Sequence, residues 1–321
     1  MSRPGRPPLR PPAAALFLLA AGPASAQAPA PSAADLAVRL AGASAVTGYE
    51  RALGDTLLAL LPGSRRDRAG NIVLELGRGE PRRLAACPLD ETGYVVGRIR
   101  PDGYLTLRRS PGSPPAAGPL FDQQLEGQRV TVFGARGPVP AVVAVRSIHL
   151  TRGRPPPSEQ LFPLDDAYVD VGASADREAA ALGIRVLAPV TLAKRPHRYG
   201  ADRLAAPVAG RRAACAALLA AARAVAGARA AGTTVVAFVV EQNLAARGLR
   251  ALAATRGPFA ETRVADGEAP AAGAVPTAAL GAFRPWSLPA RYAGTPVETV
   301  SLADVERLAR SIEAWLRGAE P

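Results

Sequence analysis

Thr234-Val-Val-Ala-Phe-Val-Val240 runs straight into Glu241-Gln242-Asn243, and Leu244-Ala-Ala-Arg247-Gly248 follows. The first seven residues are β-branched, aromatic or small and carry no charge. A strand with one wet face would alternate apolar and polar residues; this one does not, so it is expected to be buried on both faces within an α/β sheet. Its polar end is then the place for a site, because ligands of such sheets bind beyond the carboxyl ends of the strands.

Outward from this strand the same pattern continues. An Ala/Leu/Arg run after Asn243 predicts a helix over 244–254, and 213–228 predicts another before the strand. Two short apolar runs, Ile72–Leu76 and Leu84–Cys87, predict further strands, as do Tyr94–Ile99 and Tyr104–Leu107 around the turn Pro101-Asp102-Gly103. Val305, Leu308, Ile312 and Leu316 share one face of a closing helix that starts at Ser301. Between about 118 and 192 the pattern changes to short strands punctuated by Gly and Pro. The expected architecture is an α/β domain with a mixed sheet, built from 33–117 and 193–321. A small β-barrel-like unit at 118–192 interrupts it.

The amino terminus reads as a secretory signal peptide over 1–26. It has Arg3, Arg6 and Arg10, a short apolar core and a small-residue site at Ala24-Ser25-Ala26. That apolar core is too short to anchor stably in a bilayer. A Pro/Ala linker (27–32) follows. The expectation is a secreted or periplasmic protein with no transmembrane segment in the mature chain.

A formal charge of +12 raises the question of nucleic acid. The 39 basic residues include one lysine, Lys194, and the arginines are dispersed among few aromatics (5%). That is a solvated surface rather than a nucleic-acid face. Export would permit a disulfide between Cys87 and Cys215. Nothing in the sequence brings them into range, and two buried free thiols are the expectation.

Several segments carry a family resemblance. They are Val46-Thr-Gly-Tyr-Glu50, Arg68-Ala-Gly-Asn71, Asp90-Glu91-Thr-Gly-Tyr94, Leu125-Glu-Gly-Gln-Arg-Val130, Tyr168-Val-Asp-Val-Gly-Ala-Ser174 and Thr295-Pro-Val-Glu298-Thr-Val-Ser301. In this order and spacing they resemble the glutamyl (deblocking) aminopeptidases, the dinuclear-metal exopeptidases that include the tetrahedral aminopeptidases. The resemblance spans about residues 40–316. It implies an exopeptidase α/β domain with an inserted dimerisation barrel, and hence a homo-oligomer. It also implies two zinc or cobalt ions held by two His, a bridging Asp and two further carboxylates, with a Glu as general base.

Position by position, the resemblance also implies that this chemistry is degenerate here. The first His position is Pro88. The bridging Asp is Gly210, and its neighbour is Arg211, a cation where cations should sit. At an effective dielectric of about 20 that repulsion alone costs several kcal/mol. The Glu pair becomes Gln242-Asn243, so the general-base position carries an amide that cannot take up a proton. The last His position is Gly294. Asp90, Glu91, Arg212, Arg247 and Gly248 are retained. Cys87, Asp90, Glu241 and Asp266 are the remaining donors for a rearranged site, with Glu261 an alternative to Asp266. His149 and His197 fall in or beside the insertion, far along the chain. The expected reading is an aminopeptidase frame without metal or catalysis, retained to bind a peptide or protein. An active metallo-aminopeptidase with a rearranged site is the alternative. Binding of an anionic envelope polymer through the arginines is a third possibility.

Overall fold

The computed structural model describes residues 30–112, 118–144, 164–227, 231–267 and 277–318, with Met1 and Phe162. Residues 2–26 of the signal-peptide stretch, half of the linker (27–29) and His149 lie outside these residues.

The central strand spans Ala231–Val239. It lies against Ile72–Pro88, a 17-residue element that contains both short strands expected from the sequence. Gly77 and Gly79, at φ 70° and 89°, bend this element, so it meets the central strand twice. Thr234 pairs with Leu76 and Phe238 with Ile72, in opposite sense; Thr234 also pairs with Arg83 and Phe238 with Cys87, in the same sense. The sheet is therefore mixed, and it continues through parallel Glu261–Asp266 and Ala282–Ser287.

Alternation along the central strand explains its lack of polar residues. Val236, Phe238 and Val240 pack on one side with the helices Ala33–Ala41, Ala209–Val225 and Leu302–Leu316. Val235, Ala237 and Val239 pack on the other with Leu249 and Leu252 of the helix Arg247–Arg256. The alanines of Ala209–Val225 let that helix lie close against the sheet and its neighbours, and most of it is buried.

Two helix starts differ from expectation. Arg247, not Leu244, begins the helix after the central strand, because Glu241, Ala245 and Ala246 are left-handed (φ 54°, 52° and 53°) and interpose a turn. Ala209, not Ala213, begins the preceding one, after the left-handed Val208 (φ 60°). Ser301 does cap the last helix, accepting from Asp304 N at 3.2 Å. A second sheet, unseen in the sequence, is formed by Ala290–Arg291, Thr299–Ser301, Arg203–Ala205 and His197–Tyr199.

Six antiparallel strands close a barrel in the order Tyr94–Ile99, Leu105–Arg109, Tyr168–Asp170, Gly137–Ala144, Arg129–Gly134 and Pro189–Leu192. The hairpin Tyr94–Arg109 is thus part of the barrel, not of the α/β domain to which its position before residue 118 assigned it. Val96, Leu105, Val132, Val169 and Val190 fill the interior.

Cys87 and Cys215 form a disulfide, Cα–Cα 5.4 Å, contrary to the expectation of free thiols. It joins the end of Ile72–Pro88 to the helix Ala209–Val225 across 128 residues of sequence. Closing so long a loop restricts the unfolded chain strongly, for a stabilisation of about 2–5 kcal/mol. A Cys87→Ala/Cys215→Ala protein is expected to lose that amount in urea unfolding. The loss should match the effect of reductant on the native chain, and an unchanged midpoint would contradict the cross-link.

Candidate functional site

The site lies at the carboxyl ends of the sheet strands, against the barrel. Asp90 follows the strand Ile72–Pro88 and is fully buried. Its carboxylate accepts from Gln242 N at 3.0 Å, from Asn243 N at 2.9 Å and from Thr47 Oγ1 at 3.0 Å. It therefore caps the turn after the central strand. Thr47 in turn accepts from Asn243 Nδ2 at 2.9 Å.

Arg211 stands on the first turn of the helix Ala209–Val225. Its guanidinium meets Asp266 at two points, Nε to Oδ1 and Nη2 to Oδ2, each 3.0 Å. Its third edge donates from Nη1 to the main-chain oxygen of Asp90 at 2.7 Å, with the Asp90 carboxylate 3.9 Å away. The planar fork suits this two-point grip on a carboxylate. Cys215, one helical turn on, holds the same helix by the disulfide.

Glu91 and Lys194 form a second cluster. Glu91 accepts from Ala45 N at 2.7 Å and from Lys194 Nζ, and Arg212 Nη2 lies 3.3 Å away. Burial pushes the Glu91 carboxyl up, but Lys194 and Arg212 outweigh it and hold the group below the usual carboxylate range. Burial pulls Lys194 below the usual ammonium range, with Arg212 adding to it and Glu91 opposing it. Glu298 is the third anchor. It accepts from Gly210 N at 2.6 Å and from Gly294 N at 3.0 Å, so it caps the helix that carries Arg211.

The donors left for a rearranged site do not come together. Cys87 is in the disulfide. Glu241 turns away to Arg247, 3.0 Å distant, while its N–H donates to Glu50 Oε1 at 3.0 Å. Glu261 lies at the far end of its strand, bonded to Arg263 and Trp315; Asp266, at the near end, is the one that reaches the site. Pro88 ends its strand and Gly294 supplies only main chain. His197 is exposed and stacks on Tyr199. Gln242 Oε1 is buried without a hydrogen-bond partner among the described residues. Gly248 is required where it is: a Cβ there would lie 2.3 Å from Asn71 Oδ1 and 2.5 Å from Val240 O.

Gly210 is equally constrained. A Cβ would meet Glu298 Oε1 at 2.9 Å and Gly267 Cα at 3.0 Å, so the space of a bridging carboxylate is filled. Among the described residues no three His, Cys, Asp or Glu are grouped to hold a metal ion. A guanidinium lies between Asp90 and Asp266. Paired cations need several free anionic oxygens, and these residues do not fit them. A cavity of about 270 Å³ nonetheless remains, bounded by Tyr94, Phe121, Leu192, Lys194, Arg211 and Glu298 among others.

A model of the M42 glutamyl aminopeptidases matches residues 70–260. The chain belongs to that family. It is 31% identical over 183 residues to the putative aminopeptidase SgcX of Escherichia coli, covering 55% of this chain and 47% of that one. It is 29% identical over 147 residues to the lysyl aminopeptidase of Pyrococcus furiosus, covering 44% and 40%. The match thus spans about half the length of these relatives, or less. The fold is that of the TET1 peptidase of Pyrococcus horikoshii, described as assembling into a tetrahedron or a large octahedral shell. That match has a TM-score of 0.76 and 21% identity, over 89% of this chain and 99% of that one. An aminopeptidase of Desulfurococcus kamchatkensis has the same fold (TM-score 0.74, 18% identity, 89% and 95% covered).

Sequence reasoning met Glu298 within a family motif but gave no role to it or to Lys194. The signal for Lys194 was present: it is the single lysine among 39 basic residues. Because the folded Glu91 holds its proton less tightly than an ordinary glutamate (4.5), it stabilises fully above that value. That stability is lost as pH falls through the lowered folded value. Glu91→Gln, which strands two cations, is expected to cost about 3–5 kcal/mol near neutrality. It should also flatten the fall in urea midpoint as pH drops below the ordinary glutamate value; an equal acid slope in both proteins would refute the assignment.

Proposed function

We propose that this chain is a non-hydrolytic member of the M42 glutamyl aminopeptidase family that holds a peptide or protein segment in the retained cavity. One observation carries the reading. The guanidinium of Arg211 bridges Asp90 and Asp266, supplying from within the chain the positive charge that the family's chemistry draws from metal ions. The amide at Gln242 agrees with it, since that position would have to take a proton from water. The peptide class of ligand comes from the relatives, which are named as aminopeptidases.

Two further parts of the proposal concern context. The protein is exported and processed after Ala26, which the Cys87–Cys215 disulfide supports, since such bonds persist in oxidising compartments. It assembles with copies of itself through the barrel, as the tetrahedral and octahedral shells described for the Pyrococcus horikoshii relative suggest.

The test is metal content with hydrolysis. After incubation with zinc or cobalt and desalting, the purified protein is expected to retain far less than one equivalent. It should release no amino-terminal residues from peptides. Restoring carboxylates with Gln242→Glu/Asn243→Glu, while Arg211 remains, should change neither result. Near-stoichiometric metal with release of amino acids would favour the alternative, an active metallo-aminopeptidase with a rearranged site.

A further inference from the structure

The charges around the cavity are answered within the chain. Asp266 is gripped at two points by Arg211 and also accepts from Gly267 N at 2.8 Å. Glu91 is shared by Lys194, Arg212 and Ala45 N. Glu298 accepts two main-chain N–H groups, one of them at the positive end of the helix Ala209–Val225. Asp90, behind the wall, accepts two N–H groups and a hydroxyl. Three cations and the amides of two turns thus offset four carboxylates. The rest of the wall is uncharged: apolar surface from Phe121, Leu192 and Val208 alternates with neutral polar groups such as Gln124, Asn243 and Thr295. At about 270 Å³ the cavity suits one large apolar side chain with its adjoining amides.

An ion entering such a space leaves water, and among the described residues the charged side chains that line it are already paired or hydrogen-bonded. Transfer of an unpaired charge costs more than transfer of an amide, which needs only hydrogen bonds. We infer that the cavity selects an electrically neutral peptide unit, an apolar residue flanked by amides, over one that bears a free α-amine or α-carboxylate. This inference rests on the reading of the cavity as a peptide site. It sets the occupant apart from the free amino terminus that an aminopeptidase must take. An internal segment of a chain, or one with a blocked end, meets the requirement.

Three leucine derivatives that differ in charge and in which end is blocked test it. N-acetyl-leucinamide is neutral, leucinamide is cationic at pH 6.5, below the usual α-amine range of about 7.7–8.0, and N-acetyl-leucine is anionic. Binding is followed by calorimetry or by ligand-observed magnetic resonance. The neutral probe is expected to bind at least about tenfold more tightly than either ion. Arg211→Gln, checked for a cooperative melt, leaves Asp266 without its cation and should move the preference toward leucinamide by about tenfold. Adding Asp266→Asn should return it to the neutral probe. Leucinamide binding the native chain as tightly as N-acetyl-leucinamide would overturn the inference and leave the peptide-site reading standing. Absence of binding by all three at millimolar concentration would overturn that reading, and the inference with it.

Discussion

Asp90 and Asp266 belong to segments that end on the same side of the sheet; the guanidinium of Arg211 grips the Asp266 carboxylate and the main-chain oxygen of Asp90, with the Asp90 carboxylate 3.9 Å away. Two carboxylates brought to one place repel unless a cation lies between them. A guanidinium does this with fixed geometry and a charge it does not lose at any ordinary pH. It also ties the helix that carries it to both segments, and the disulfide one turn further on ties that helix to the strand before Asp90. The positions of Gln242, Asn243, Gly210 and Glu298 follow, because each is hydrogen-bonded to Asp90 or to the start of that helix.

The barrel is attached through a comparable device. Glu91 lies just before the first barrel strand and Lys194 just after the last, so their ion pair joins the two crossings between barrel and sheet. Arg212 brings in the helix from below. Ser44 and Thr191 (3.0 Å) and Tyr49 Oη to Leu187 O (2.8 Å) fasten the barrel's rim to the first segments of the α/β domain. A buried ion pair adds little net stability, but its partners tolerate no other arrangement. The cavity wall on the barrel side is set by these contacts. An ammonium suits the Glu91 position because it is a compact charge on a flexible stem. The single lysine of a chain otherwise basic through arginine thus stands at a buried ion pair.

How far the sequence could be read follows from which interactions are local. The central strand was legible because burial on both faces requires an unbroken apolar run. Ser301 was legible because a cap acts within three residues. The bend at Gly77 and Gly79, which makes one strand element serve both sides of its neighbour, left only a Gly-rich interval between two apolar runs. The second sheet was invisible, its strands being two or three residues long. The Arg211–Asp266 pair spans 55 residues and the disulfide 128, and no local pattern encodes contacts of that range. The choice between Glu261 and Asp266 rested on which end of a strand faces the site, which only the fold decides.

The contacts of these residues also support one another, so that no single change would make room for a metal ion without cost. An Asp at 210 would need Gly267 to withdraw, and Gly267 is itself pinned, since a Cβ there would lie 2.7 Å from Gly210 C. Freeing Asp90 as a ligand would take from Gln242 N and Asn243 N the acceptor that fixes their turn. Removing Arg211 alone would leave Asp266 buried with Gly267 N as its remaining hydrogen-bond donor among the described residues. Each change costs folding stability before any ion could offset it, because an unpaired buried carboxylate is more destabilising than the original pair was stabilising. The residues at these positions are the ones that hold the cleft in shape.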